Sequence, residues 1–222
     1  MLAIGFDTST PNVGVAVVDD ASGLLARSDE VSANRPGEQL APAVAALLAQ
    51  AGARPADLDT VGVGLGPGPF TGLRVGIVFA AVLGHALEIP VFGCCSLDAL
   101  AHPHLAGGSG DVVAITDARR REVHWARYSA EGARTDGPHV DLPAVLAASL
   151  RPEDRLVGAG AVQHQDLMPT EAAGPPLFPD AEWIAALALR RHSAGEQPEP
   201  LTPLYLRRPD AAETFTAKSV LT

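Results

Sequence analysis

The sequence predicts a two-lobed α/β protein, and three observations support this prediction. The chain has 222 residues, which is enough for two lobes of about a hundred residues each. A strand, an acidic turn and a second strand begin the chain, and the same arrangement returns near residue 112. Between them, residues 61–87 have the pattern of a strand, a glycine-rich loop and a long helix. A repeated hairpin of low sequence identity is typical of a duplicated domain.

The composition is that of a globular chain with an excess of acidic residues. Hydrophobic residues make up 47% and charged residues 19%, and the formal net charge is -10. Strong binding of nucleic acid needs clustered Lys and Arg to neutralise phosphates, so this chain is not expected to bind nucleic acid strongly by itself. Any RNA substrate would have to be held by another protein.

Three further features predict a cytoplasmic protein without a membrane span. The two cysteines, Cys94 and Cys95, are adjacent in an apolar run, which predicts buried free thiols in a reducing compartment. No basic segment precedes the first strand, as a targeting signal would require. The longest apolar run, residues 75–84, is shorter than the roughly 18 residues of a membrane span.

The first hairpin has polar residues at its tip. Residues 2–6 and 13–18 are predicted strands, and Asp7, Thr8 and Ser9 begin the turn between them. An aspartate and two hydroxyls in such a turn can bind phosphate or a hydrated Mg²⁺. They can equally be ordinary turn formers, and the local pattern favours that alternative.

The next elements are a third strand over residues 24–31 and a helix over residues 39–50. Gly52 is placed to end this helix in the left-handed conformation. Pro42 is tolerated only within the first turn, so the helix is not expected to begin much before residue 38.

A glycine-rich loop then leads into the long helix. It contains Gly66, Gly68 and Gly72, and Thr71 is the predicted N-cap. Free amides at a helix N-terminus favour an anion. The alternative is a tight connection without a ligand, and the residues favour it because the loop lacks both the P-loop ending and the dinucleotide-binding spacing.

The long helix, residues 73–87, has almost no polar face, since Arg74 and His85 are its clearly polar residues. Together with the uncharged helix at 39–50, it has more apolar surface than one face of a sheet can cover. This predicts a helical interface with a partner or a second copy, and burial of both helices in the lobe's own core is the alternative. The predicted interface residues are Leu40, Val44, Leu47, Leu48, Arg74, Gly76, Ile77, Ala80 and Gly84.

The second lobe begins near a flexible glycine-rich join at residues 107–110. Its predicted hairpin has strands at 112–116 and 122–128, with Asp117 at the tip. The later elements are helices at 143–150 and 181–192, a strand at 155–161 and a proline-rich linker at 197–203. We therefore predict a first lobe at 1–106, a second at 107–205 and a tail at 206–222.

Four segments of this chain resemble the TsaB (YeaZ-type, glycoprotease-like) family. They are IGFDTST near the N-terminus, GPGPFTGLRVG at 66–76, AITDARRREVHWARY at 114–128 and PLYLR at 203–207. The family is the non-catalytic subunit for bacterial threonylcarbamoyladenosine (t6A) modification at position 37 of ANN-decoding tRNAs. The resemblance implies an actin-like, Hsp70-like ASKHA fold in which each lobe has a five-stranded mixed sheet.

The resemblance also implies site residues and partners. The positions of Asp7, Thr8, Ser9 and Asp117 match the phosphate-binding tips of active ASKHA proteins, and in this family those positions are regarded as degenerate. The expected partners are the catalytic paralogue TsaD, bound through first-lobe helices, and the ATPase TsaE, with a functional link to TsaC. From the apolar helices themselves, we also expect the chain alone to form a homodimer, because their apolar face must be covered when TsaD is absent. Partner subunits use Mg-ATP, and this chain requires no cofactor.

The histidine pattern is consistent with an accessory role. TsaD-type catalysts carry a metal-binding H-x-x-x-H pair on one helix face, whereas no two of the seven histidines here are four residues apart. No metal site and no independent catalytic site are therefore expected. An autonomous ASKHA phosphotransferase that uses Asp7 and both hairpin tips around Mg-ATP is the alternative. A peptidase is a weaker one, because no Ser or Cys has a recognisable activating partner.

Overall fold

The structure is a computed structural model that describes residues 1–31, 36–106 and 110–207. Residues 107–109 of the predicted join at 107–110, and the tail beyond residue 207, lie outside the described residues. The described chain contains two mixed β-sheets with flanking helices.

The first sheet has five strands in the order β3-β2-β1-β4-β5. Strands β1 and β2 form the predicted N-terminal hairpin, β3 extends it in antiparallel fashion, and β4 and β5 continue the sheet on the other side of β1 in parallel. The strands are β1 (Leu2–Asp7), β2 (Asn12–Asp19), β3 (Gly23–Val31), β4 (Thr60–Gly64) and β5 (Val91–Cys94).

Helices cover both faces of the first sheet. On one face lie α1 (Pro36–Gln50) and α2 (Phe70–Leu87), which pack on Ile4, Phe6 and neighbouring apolar residues. On the other face lies α6 (Ala181–Ser193), which packs on Ala3 and Val18. Alternate residues of β1 thus face opposite helices, as the pleat requires.

The second sheet has four strands among the described residues, in the order β8-β7-β6-β9. The strands are β6 (Val112–Asp117), β7 (Val123–Tyr128), β8 (Arg134–Asp141) and β9 (Arg155–Val157). The short helices of this part of the chain are α3 (Ser96–Ala101), α4 (Pro143–Ser149) and α5 (Ala159–Gln163). The order and the strand directions repeat those of β3-β2-β1-β4, although the sheet has one strand fewer than the resemblance implies. Strand β8 is an element that the sequence analysis missed.

The C-terminal helix α6 lies in the range predicted as the second lobe, yet it packs on the first sheet. Gly5 and Gly62 permit this arrangement, because the backbone of α6 passes directly over their Cα atoms. A Cβ atom on Gly62 would lie 2.5 Å from the Ile184 carbonyl oxygen. The last helix of the range predicted as the second lobe therefore lies against the first lobe, and the domain boundaries at 106 and 205 stay a prediction.

Two predicted helix starts are wrong. Helix α1 begins at Pro36, which places Pro42 in its second turn, where Pro has no amide hydrogen to donate to the carbonyl four residues earlier. Helix α2 begins at Phe70 after Pro69, so Thr71 is its second residue and not its N-cap. The fixed φ of proline is suited to that boundary.

By length and composition alone, helix α2 could cross a membrane, a criterion that the core helix of a soluble protein also meets. It nevertheless joins the adjacent parallel strands β4 and β5 and packs on their sheet. This is the geometry of a βαβ crossover. The predicted burial of Cys94 and Cys95 as free thiols is confirmed.

We predict that Gly62→Ala lowers the free energy of unfolding by about 1–3 kcal/mol, the usual cost of overpacking. The added methyl group would push α6 away from β4. Gly174→Ala is the matched control, because the site is exposed and has no atom within 4 Å of the new Cβ. Equal midpoints for the two variants in urea denaturation would contradict the packing of α6 on the first sheet.

Candidate functional site

The tip of the first hairpin is a closed network of hydrogen bonds. Asp7, at the end of β1, is 1% exposed. Its Oδ1 accepts hydrogen bonds from the Ser9 amide at 2.7 Å and the Ser9 hydroxyl at 2.6 Å, and its Oδ2 accepts one from the Ser96 hydroxyl at 2.5 Å. The Ser96 oxygen in turn accepts a hydrogen bond from the Gly66 amide at 3.0 Å. Asp7 is thereby tied to the glycine-rich loop.

Thr8 ties the same tip to helix α2. Its hydroxyl donates to the Gly72 carbonyl oxygen at 2.8 Å and accepts from the Gly76 amide at 3.1 Å. The backbone is packed closely here, since a Cβ on Gly72 would lie 2.6 Å from the Thr8 carbonyl oxygen and one on Gly68 would overlap the Ser9 carbonyl. The glycines of the loop are needed for this close approach.

These contacts determine what the first tip can do chemically. The carboxylate of Asp7 and the hydroxyls of Thr8 and Ser9 all bond to groups of the chain itself. Burial raises the pKa of Asp7, and the hydrogen bonds from Ser9 and Ser96 oppose that rise. The arrangement is that of a structural junction, in agreement with the turn-former alternative. Ser96 was missed by the sequence analysis, because nothing local to it indicates a contact with residue 7.

The second tip, between β6 and β7, is more open. The carboxylate of Asp117 accepts a hydrogen bond from the Arg119 amide at 2.9 Å. The three arginines that follow have positive φ angles of 62°, 55° and 62°, which is uncommon for residues with a Cβ. The structure does not bring Asp117 into the hydrogen-bond network of Asp7.

A cleft of about 220 Å³ lies between the glycine-rich loop and the β6-β7 turn. The glycine-rich loop and the start of α2 form one wall, the β6-β7 turn forms another, and residues 205–207 form a third. The lining residues are Gly68, Pro69, Phe70, Ala118, Arg119, Arg120, His124, Tyr205, Leu206 and Arg207. Among the described residues, no group of three His, Cys, Asp or Glu side chains is placed to hold a metal ion.

The predicted interface residues are largely in the core, so this prediction needs correction. Leu40, Val44, Leu47 and Leu48 of α1 pack on the first sheet. Gly76, Ile77, Ala80 and Gly84 form the buried side of α2, where Gly76 approaches Thr8 and Gly84 approaches Val91. Of the nine residues, Arg74 is exposed. The stripe of small residues serves close contact with the lobe's own strands and hairpin tip.

The opposite side of α2 is exposed and apolar. Val78 and Val82 are 59% and 61% exposed, and they line an open groove of about 590 Å³ together with Phe70, Thr71, Arg74, Val75 and Phe79. We name these seven residues the outer face of α2. The exposed residues of the neighbouring helix α1 include Ala41, Pro42, Ala45, Ala46 and Ala49. An apolar surface of this kind is typical of a contact site for another protein.

We predict that His124 makes the chain less stable in acid. Burial lowers the pKa of this cleft residue to about 4, and the nearby Asp117 charge only partly opposes the effect. The unfolded state has the ordinary pKa near 6.5 and binds a proton first, so stability falls as the pH drops from about 6.5 to about 4. The loss is at most about 3 kcal/mol.

Urea denaturation at a series of pH values measures this effect. His124→Gln should remove the extra loss, whereas His85→Gln, at an exposed position of α2, should leave it in place. The same acid dependence in the wild type and His124→Gln would contradict the assignment.

Comparison with known proteins agrees with this architecture. The model of the family described as "TsaD: tRNA N6-adenosine threonylcarbamoyltransferase" matches residues 30–167. An uncharacterised protein of Mycobacterium tuberculosis is 45% identical over 209 residues, which cover 94% of this chain and 92% of that protein. The tRNA threonylcarbamoyladenosine biosynthesis protein TsaB of Bacillus subtilis is 30% identical over 71% of this chain and 69% of its own length.

The fold comparison leads to the same family. The structure of YeaZ from Pseudomonas aeruginosa superposes with a TM-score of 0.76 at 30% identity, covering 92% of this chain and 99% of that one. This match and the two mixed sheets confirm the predicted two-lobed ASKHA fold. The chain therefore belongs to the TsaB/YeaZ family, within the wider TsaD family that the matched model describes.

Proposed function

We propose that this chain is a non-catalytic activator that binds TsaD through the outer face of α2 and is needed for t6A modification of tRNA. A role in t6A biosynthesis is supported by the relatives that carry this name. The observation that carries the binding proposal is the exposed apolar side of α2, with Val78 and Val82 at its centre. A soluble protein gains by covering such a surface.

The kind of partner follows from the family. Because this chain matches a model that describes the threonylcarbamoyltransferase itself, TsaD is expected to share its fold and to offer a corresponding pair of first-lobe helices. Two similar apolar helix pairs can pack as a bundle with ordinary interhelical spacing. The same reasoning makes a homodimer the state of the isolated chain, and TsaD would displace the second copy. TsaE and TsaC act with this pair in the cytoplasm, and Mg-ATP is used by the partner subunits.

The alternative, an autonomous phosphotransferase, has less support. In that mechanism the first hairpin tip would hold phosphate or the hydrated metal. Here the Asp7 carboxylate accepts hydrogen bonds from Ser9 and Ser96, and the Thr8 hydroxyl bonds to the backbone of α2. Ser96 also accepts a hydrogen bond from the Gly66 amide of the glycine-rich loop. Opening the tip for a nucleotide would break these buried hydrogen bonds, at a cost of about 1–3 kcal/mol for each group left unsatisfied.

We predict that Val78→Glu with Val82→Glu weakens binding to TsaD at least about tenfold, because two carboxylates would be buried in an apolar contact. The fold should persist, since both positions are exposed. Isothermal titration with purified TsaD measures the affinity, and light scattering should show the same variant to be monomeric.

The matched control is Val145→Glu, at a valine of α4 that is 55% exposed in the second lobe. Ala80→Arg and Gly84→Glu are unsuitable as interface variants, because Ala80 is fully buried and Gly84 contacts Val91. Those two changes should unfold the first lobe. Wild-type affinity in a folded Val78→Glu, Val82→Glu variant would overturn the proposed docking face.

A further inference from the structure

Residues 204–207 form a short segment, here called the strap, that contacts both lobes. On the first lobe, the Leu204 amide donates to the Leu65 carbonyl oxygen at 2.8 Å. The Tyr205 ring packs on the Phe70 ring with centroids 4.4 Å apart. The Tyr205 hydroxyl oxygen accepts a hydrogen bond from Arg74 Nε at 2.9 Å. The strap directly follows the predicted linker at 197–203. Leu201 of that linker packs on the hydrophobic core of the first lobe.

On the second lobe, the strap holds the β6-β7 turn through Arg207. Its guanidinium group donates to the carbonyl oxygens of Ala118 at 3.0 Å and Arg119 at 3.4 Å, and it forms an ion pair with Glu122. These acceptors belong to the turn whose three arginines have positive φ angles. Arg207 therefore stabilises a turn conformation that is unfavourable by itself.

The first-lobe contacts of the strap fall on the proposed docking face. Phe70 and Arg74 both line the groove on the outer face of α2. The Arg74 guanidinium carbon lies 5.9 Å from the ring centroids of both Phe70 and Tyr205, within the range of a cation–π contact. A long, exposed side chain on a helix normally samples many rotamers, and these three contacts hold it in one of them.

We propose that the strap positions Arg74 to recognise a carboxylate on the partner, at the edge of the apolar contact. This inference rests on the proposed function and specifies part of the same surface. Arg74 is the one Lys, Arg, Asp or Glu residue of α2, so it supplies the charge of an otherwise apolar face. Its Nε donates a hydrogen bond to the Tyr205 hydroxyl. Its two terminal nitrogens can donate to the two oxygens of a carboxylate.

Positioning before binding makes a contact tighter, because less conformational entropy is lost when the complex forms. The strap also links this contact to the second lobe, since the segment that holds Arg74 ends at Arg207 on the β6-β7 turn. A change at that turn would then alter the affinity of a surface on the other lobe. Tyr205 and Arg207 are positioning residues in this scheme, and Arg74 makes the contact.

A double-mutant cycle between Arg74 and Tyr205 tests the proposal, with affinity for TsaD as the readout. Tyr205→Phe removes the hydroxyl acceptor and keeps the ring on Phe70, so the fold is retained. It should weaken binding by about threefold to tenfold in the wild type, and by less than about twofold when Arg74→Ala is present. A purely structural role of Tyr205 would give the same loss in both backgrounds, and that additive result would overturn the proposal.

A second experiment tests whether the strap couples the β6-β7 turn to Arg74. Arg207→Met should weaken TsaD binding by about threefold and should speed amide hydrogen exchange at residues 70–74 as well as at the β6-β7 turn. Arg54→Met is the matched control, because Arg54 pairs locally with Asp57 at the opposite end of β4. Faster exchange confined to the turn, with unchanged affinity, would overturn the coupling.

The experiment separates this inference from the proposed function. If Val78→Glu with Val82→Glu abolishes binding and the Arg74 and Tyr205 effects are additive, the docking face stands and the strap proposal is wrong. If the valine variant binds normally, the docking face itself is wrong and the strap proposal fails with it.

Discussion

The arrangement of the first lobe depends on how the glycine-rich loop and the start of α2 pack against the first hairpin tip. Thr8 joins the tip to the carbonyl of Gly72 and the amide of Gly76, and Asp7 reaches the loop through Ser96. These bonds are buried, so each is costly to break. They fix where α2 begins and which of its sides faces the sheet. They also use the polar groups of Asp7 and Thr8, the positions that the resemblance matches to the phosphate-binding tip of active ASKHA proteins.

The outer face of α2 is exposed as a consequence of this packing. Once Gly76, Ile77 and Ala80 are turned inward, Val78 and Val82 must point outward, because they lie on the other side of a helix with 3.6 residues per turn. A helix that is apolar all round needs cover on both sides. Under the proposed function, the chain keeps the two-lobed ASKHA architecture and binds its catalytic partner through this exposed helix surface.

Much of the fold could be predicted because its signals are local. The two hairpins, the strand, loop and helix at 61–87, and the burial of Cys94 and Cys95 all follow from short patterns of apolar and polar residues. The interface residues could not be placed, because Ile77 and Val78 are almost equally apolar and α2 has no polar side to show which face is inward. The contact of Arg74 with Tyr205 spans 131 residues, and no local pattern reports such a pairing.

The most direct test of the account is t6A formation on tRNA in a reconstituted mixture of TsaC, TsaD, TsaE, threonine, bicarbonate and Mg-ATP, with nucleoside analysis of the product. The proposed function predicts that t6A appears when this chain is added, is lost when the chain is omitted, and stays low with the Val78→Glu, Val82→Glu variant. Equal product with and without the chain would contradict the activator role. It would make a Mg-ATP-dependent activity of the chain itself the leading explanation.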